Sequence, residues 1–325
     1  MFKKMEILSI EEGIKEIEKL MINDIFEYLN NGITQKNKSN SNFINCQNIV
    51  NYFSDTGYAM SKRLLDYHNK TIENYIIECT KKLSSENINL IDEFILYTEK
   101  INYLIYWMAK IFGYLDRYFM KSKGRSCLSG RAMHIYKSIL FEKVKNKIFI
   151  ELNRLINEER NGNIKSTNKV KKILEIFNDL NLENPKIIKE KNEIKWINKD
   201  NDNYIIKPKV QDIWIEDFFC EDTRKFVEVK AKNDLKNMSI PEYILSIITY
   251  LEKEYIILDN YIDPKYHNKI KEINYQYLIS NTLKDIIPLD NYAKDLLSSE
   301  KSEQKNNLYK LIKLIPKNID PIISE

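Results

Sequence analysis

Glycine and proline are scarce in this chain, seven of each among 325 residues. That scarcity argues against an all-β protein, whose many tight turns need both. Cysteine is scarcer still. Cys46, Cys79, Cys127 and Cys220 lie far apart with no C-x-x-C pair, which speaks against a disulfide framework or a zinc site and for reduced thiols in the cytoplasm or nucleus. The three histidines, His68, His134 and His267, show neither H-x-x-x-H nor H-E-x-x-H spacing. No apolar run approaches the roughly 18 residues that cross a bilayer, and Met1 to Glu6 is basic without the unbroken apolar core of a signal peptide. Charge of a single sign is missing as well: Lys and Arg number 51 against 47 Asp and Glu, a net +4. A nucleic-acid binder usually carries a clear basic excess. Runs such as Lys121 to Arg131 and Lys169 to Lys172 read as solvated surface.

What the chain has in abundance is Lys, Ile, Leu and Glu at helical spacing, with 43% hydrophobic residues overall. Its length suffices for one large or two medium domains. Two long amphipathic stretches dominate, Asn89 to Phe119 and Arg131 to Glu159. Apolar residues recur in both at intervals of three and four, the period of a helix with a wide buried face. Each stretch is roughly 30 residues, or about 45 Å at 1.5 Å per residue. Rods of that length suit an elongated stack in which each helix pair packs on the next.

In chain order, Ser9-Ile10-Glu11-Glu12 is a capping box that opens a helix closing at Asn30-Asn31-Gly32. Gln35 to Ser41 reads as a mobile polar loop, Phe43 to Phe53 as a short second helix, and Tyr58 to Leu83 as a third. With the two long stretches this makes five helices, ending at Gly162. The count then restarts: a helix at Val170 to Leu180, a polar excursion or small hairpin within Asn184 to Asn203, and short helices at Val210 to Phe219 and Thr223 to Lys236. Ser239-Ile240-Pro241-Glu242 starts a fourth that runs to Tyr261, its proline in the first turn where no donor is lost. Asp263-Pro264 opens a fifth, reaching Leu283. Two shorter patterns follow, Asn291 to Ser298 and Gln304 to Ile315, and the chain stops at Pro321 to Glu325 as a third repeat cut short would. The expectation is an all-α repeat architecture, visible in its elements rather than as a clean sequence repeat.

Three short patterns resemble one family. Tyr114 to Phe119 resembles the end of the fourth helix of a cullin amino-terminal repeat. Gly130-Arg131 with Ile135 to Phe141 resembles the start of its fifth, and Leu155 to Gly162 resembles that helix's (L/I)-I-x-x-E-R-x-G ending. In the second half, Tyr204, Trp214, Phe218, Phe219, Thr223, Phe226, Tyr243, Leu251, Glu252, Glu254, Tyr261, Leu278 and Ile279 fall in the order of the family's second repeat. The resemblance covers residues 9–315 and is weakest at 30–42 and 184–203.

It implies an elongated, right-handed, α-solenoid-like stack of five-helix cullin repeats: repeat 1, adaptor-binding, over 1–163, repeat 2 over 164–284, and the start of repeat 3 over 285–325. It implies a role too, as the non-catalytic scaffold of a cullin-RING ubiquitin ligase. The stalk of such a scaffold holds a substrate adaptor, F-box-linking or BTB-type, away from the RING module. The family's RING protein and modified lysine belong to a carboxy-terminal domain that nothing in these residues resembles. Another helical-repeat scaffold, vesicle-tethering or like a subunit of the anaphase-promoting complex, is the alternative expectation.

No catalytic constellation stands out, so no enzyme, metal or cofactor is expected. His68 and His134 read as surface or satisfied helix residues. Glu11-Glu12 and Glu158-Glu159 are neighbours about 100° apart on a helix and cannot act as a pair by themselves. Lys121 to Arg131 lacks the order of a phosphate loop, and no strand precedes it. Cys127 within it is expected to be an ordinary exposed cysteine rather than an activated thiol. Surface recognition remains. The resemblance places an adaptor on Phe43 and Gln47 of the second helix, Tyr114 and Arg117 at the end of the fourth, and Met133, expected at the surface of the fifth. Gln47 stands where the family usually carries an aromatic. Core packing of Phe43 and Tyr114 is the competing expectation.

Overall fold

Helices begin and end where local capping chemistry places them. The computed structural model describes residues 9–32, 40–84, 89–121, 126–163, 166–198, 208–283 and 302–314. At its start Ser9 Oγ accepts from Glu12 N at 3.3 Å, while Glu12 Oε2 accepts from Ser9 N at 2.8 Å. Helix α1 follows through Ile10–Ile17, a π turn at Glu18–Ile22 and Asn23–Asn31. It stops on Gly32, whose φ of 64° suits a residue without Cβ. Next come α2 (Asn40–Asp55), α3 (Tyr58–Leu83), α4 (Leu90–Ile111) and α5 (Gly113–Leu115 with a π turn at Asp116–Met120). The long α6 comprises Leu128–Tyr136, a π turn at Lys137–Phe141 and Glu142–Arg160, and α7 is Thr167–Leu180. Strands β1 (Pro185–Glu190) and β2 (Glu193–Asn198) form an antiparallel hairpin. Then come α8 (Val210–Trp214, a π turn at Ile215–Phe219, Cys220–Asn237) and α9 (Ile240–Tyr261). Last are α10 (His267–Tyr275, a π turn at Gln276–Ser280, Asn281–Leu283) and α11 (Ser302–Leu314).

Two helix boundaries differ from the sequence expectation. The stretch Asn89 to Phe119 is interrupted at Phe112, whose ψ of 17° leaves the helical region before Gly113 restarts it. Conversely, Val210 to Phe219 and Thr223 to Lys236 belong to one helix, α8. A π turn inserts one residue and swings the apolar stripe by about 100°, which in a sequence looks like a break. Most of the Gln35 to Ser41 loop, the middle of the Lys121 to Arg131 loop, Tyr204, the Asn291 to Ser298 pattern and the Pro321 to Glu325 ending lie outside the described residues.

The chain divides into two units, residues 1–146 with 178–207, and 147–177 with 208–325. In the first, Phe94, Phe112, Tyr136 and Phe141 are among the largest fully buried side chains. Gly13 lies where α1 meets α2. A Cβ there would sit 2.4 Å from Phe53 Cε2 and 3.2 Å from Ile49 Cγ2. Gly13→Ala is therefore expected to lower stability by about 1–3 kcal/mol in urea unfolding, against its better helix propensity. An unchanged midpoint would mean that the buried Phe53 ring swings clear.

His68 is a correction. It is fully buried on α3, edge-on to Phe112 at 5.5 Å, and its Nε2 has no partner among the described residues. Burial pushes its pKa down to about 4. The unfolded chain takes up this proton near 6.5, so the neutral ring's contribution is whole above that pH and is lost as pH falls toward 4. The difference is on the order of 3 kcal/mol. Stability of His68→Leu should accordingly fall less steeply between pH 6.5 and 4 than that of the parent chain. Parallel pH curves would refute the assignment.

In the second unit the E-R-x-G ending of α6 acquires a cause. The buried Arg160 guanidinium donates to Glu254 Oε1 at 2.6 Å and Oε2 at 2.8 Å, to Asn157 Oδ1 at 2.7 Å and to Thr223 Oγ1 at 2.9 Å. It thus ties the end of α6 to α8 and α9. Gly162, at φ 95°, then turns the chain, with Asn163 N donating to Glu158 O and Gly162 N to Glu159 O at 2.9 Å each. The adjacent carboxylates are spoken for: Glu11 pairs with Arg63, Glu12 caps α1, Glu158 pairs with Arg154, and Glu159 accepts from Tyr261 Oη at 2.9 Å.

Candidate docking surface

Within the first unit, α5 packs on α2, and α6 starts beside α5. Side chains close the corners between them. Gln47 Nε2 donates to Lys110 O at 3.1 Å, one of the last carbonyls of α4, which also accepts from Phe112 N where the helix breaks. Tyr114 Oη donates to Asp55 Oδ1 at 2.5 Å and its ring lies against Tyr118, centroids 4.3 Å apart. That hydrogen bond raises the Tyr114 phenol above its ordinary pKa. Asp116 Oδ1 accepts from Leu128 N at 2.9 Å and so caps α6. Phe43 meets Trp107 edge-on at 6.3 Å.

The structure thus brings four of the five sequence-derived residues onto adjoining elements. Phe43, Gln47 and Tyr114 are half-buried and Arg117 is exposed. Met133 does not lie at the surface: it is 5% exposed. It shares the inward stripe of α6 with Ala132, Tyr136 and Leu140, positions that recur at helical spacing. Cys127 is also corrected. It is buried, and its thiol donates to Pro185 O at 3.3 Å. All four cysteines are free and buried, and burial pushes Cys46 up to about 12 and Cys79 up to about 11.

Two residues were missed. Ile44 is 52% exposed and Tyr118 59%. Ile44 carried a usable signal: Cys46, Ile49, Val50 and Phe53 mark the inward stripe of α2, and Ile44 lies about 170° from its centre, about 60° from Gln47. An isoleucine opposite a core stripe is surface by construction. Tyr118 had no such signal, because the π turn at Asp116–Met120 shifts its phase. Ile44 on α2 and Tyr118 on α5 add exposed apolar area to the polar handles of Gln47, Tyr114 and Arg117, a combination suited to binding a protein.

Among the described residues no group of three or more His, Cys, Asp or Glu could hold a metal ion, and no helix is long and apolar enough to cross a membrane. Comparison with known proteins gives the helices a lineage. The model of the cullin alpha solenoid domain matches residues 9–325. Cullin-3 of Dictyostelium discoideum is 22% identical over 295 residues, 86% of this chain and 34% of that protein. Cullin-1 of Caenorhabditis elegans is 23% identical over 274 residues, 82% of this chain and 33% of that protein. A putative cullin-like protein 1 of Arabidopsis thaliana is 21% identical over 220 residues, 67% of this chain and 27% of its own length. The chain thus spans about a third or less of these relatives. With the family model running through almost its whole length, the chain belongs to the cullin family, as a cullin alpha solenoid domain.

Proposed function

We propose that this chain is the amino-terminal stalk of a cullin-RING ubiquitin ligase scaffold, working without catalysis of its own in the cytoplasm or nucleus. Its adaptor-binding repeat covers 1–163, with repeat 2 over 164–284 and the start of repeat 3 over 285–325. A substrate adaptor of the F-box-linking or BTB type docks on α2, α5 and the first turn of α6, through Phe43, Ile44, Gln47, Tyr114, Arg117 and Tyr118. The observation that supports this reading is the exposure of Ile44 on α2 and Tyr118 on α5, the two helices that also carry Gln47 and Tyr114 and that the family resemblance assigns to the adaptor. Met133 supports the surface from beneath and does not touch the adaptor. The RING protein belongs to a carboxy-terminal domain to which none of these residues correspond.

The direct test mixes the chain with a purified F-box-linking protein and, separately, with purified BTB-domain proteins, followed by size-exclusion chromatography and calorimetry. One class is expected to co-elute with a Kd of about 1 μM or tighter. Retention of neither class would refute the reading and favour a scaffold outside the ubiquitin ligases.

A further inference from the structure

The β1–β2 hairpin occupies the stretch where the family resemblance is weakest, yet it is firmly seated. Trp196 Nε1 donates to Asn102 Oδ1 on α4 at 3.0 Å, and Pro185 O accepts from the Cys127 thiol at 3.3 Å and from Ser129 Oγ at 3.5 Å. The hairpin therefore rests on α4 and on the first turn of α6, one of the elements of the docking surface. On α4, Asn102 and Lys110 are eight residues apart, about 12 Å along the axis and about 80° around it. Lys110 is the residue that Gln47 reaches. The hairpin and the docking surface thus both engage α4 and the start of α6.

The two edges of the hairpin differ. Ile187 N donates to Ser129 Oγ at 3.4 Å, so β1 turns its outer groups toward α6. That makes Ile187 and Trp196 a pair without mutual backbone hydrogen bonds, and alternation extends the same phase to Lys189 and Ile194. The N–H groups of Ile194 and Trp196 consequently point outward along β2. Among the described residues no strand lies on that edge. The outward face carries Lys186 across from Ile197 and Ile188 across from Lys195, with Ile197 39% exposed. The hairpin holds four Lys, at 186, 189, 191 and 195, against Glu190 and Glu193 near its tip. The Lys195–Glu193 pair at 3.2 Å is exposed on both sides and contributes little.

We propose that this hairpin extends the docking surface, and that the outer edge of β2 takes an acidic, extended segment of the docked adaptor as an added strand. The proposal rests on the adaptor reading above. Strand addition explains an open backbone edge beside apolar and basic side chains: the backbone supplies affinity, while Ile197 and the lysines select an apolar, acidic sequence. Lysines on an edge strand can instead serve only to keep other strands away, and the two roles separate by experiment.

Amide hydrogen exchange of the unsubstituted chain, with and without its adaptor, should show protection at Ile194 and Trp196 on binding. Lys186→Glu/Lys195→Glu and Ile194→Pro, the latter removing only an outward donor, should each weaken adaptor binding about tenfold. Exchange unchanged at Ile194 and Trp196 in the complex overturns the proposal. So does wild-type affinity in both variants while Ile44→Asp/Tyr118→Glu abolishes binding, and that pattern leaves the adaptor reading standing. Failure of the unsubstituted chain to bind either adaptor class overturns both. The exchange arm needs no substitution, so misfolding of Ile194→Pro would not obscure the result.

Discussion

Replacing Glu254 with alanine should lower the unfolding free energy of the second unit by about 3–5 kcal/mol. The Arg160 side chain is 1% exposed and that of Glu254 0%, so neither charge can turn to water when its partner is lost. Burial alone would lower the arginine's pKa, and the facing carboxylate more than reverses this, keeping the guanidinium charged. Arg160 also lies over the rings of Phe219 and Phe226, 5.2 Å from each centroid, so its loss removes packing as well as charge. Arg160→Met should therefore cost a comparable amount. Arg160→Met/Glu254→Leu should recover most of the loss, because no charge then remains buried. Urea unfolding followed by circular dichroism measures all three variants. A cost below about 1 kcal/mol for Glu254→Ala would mean that the pair is wetter than its geometry, and the explanation of the E-R-x-G ending would fail.

Ile44→Asp/Tyr118→Glu should weaken adaptor binding by about 100-fold or more, on the order of 3 kcal/mol, if the two residues are the apolar anchors of the docking surface. Both side chains are largely exposed, so the unfolding free energy should change by no more than about 0.5 kcal/mol. Met133→Asp is the contrast. It places a charge in the core of the first unit and should unfold that unit, losing binding only as a consequence. Tyr114→Phe deletes one hydrogen bond to Asp55 and should cost about tenfold in affinity or less. Calorimetry paired with thermal unfolding separates these cases. Loss of fold in the Ile44/Tyr118 variant would show that these residues are structural, and undiminished binding would place the adaptor elsewhere.

Much of the fold was legible because it is written locally. The Ser9 and Ser239 caps, the stop at Gly32, and the Tyr58–Leu83 and Ile240–Tyr261 spans follow from residues within one turn of each boundary. The docking surface was legible in part, through motif residues that sit on elements which do meet. Legibility failed at two of the π turns, Asp116–Met120 and Ile215–Phe219, where one extra residue changes the face on which a side chain emerges. It failed for α8, read as two helices, and for Tyr118, whose exposure no regular period gives.

The sequence by itself determined that this chain is helical, built as an α-solenoid and carrying cullin motifs. Backbone hydrogen bonds and side-chain spacing act over four or five residues, so a linear reading captures them. Only the tertiary structure decided that Arg160 finds Glu254 ninety-four positions away, that His68 and Met133 are interior, and that β1 seats on Ser129. Those outcomes depend on which faces of distant segments are pressed together, and no local period records that choice.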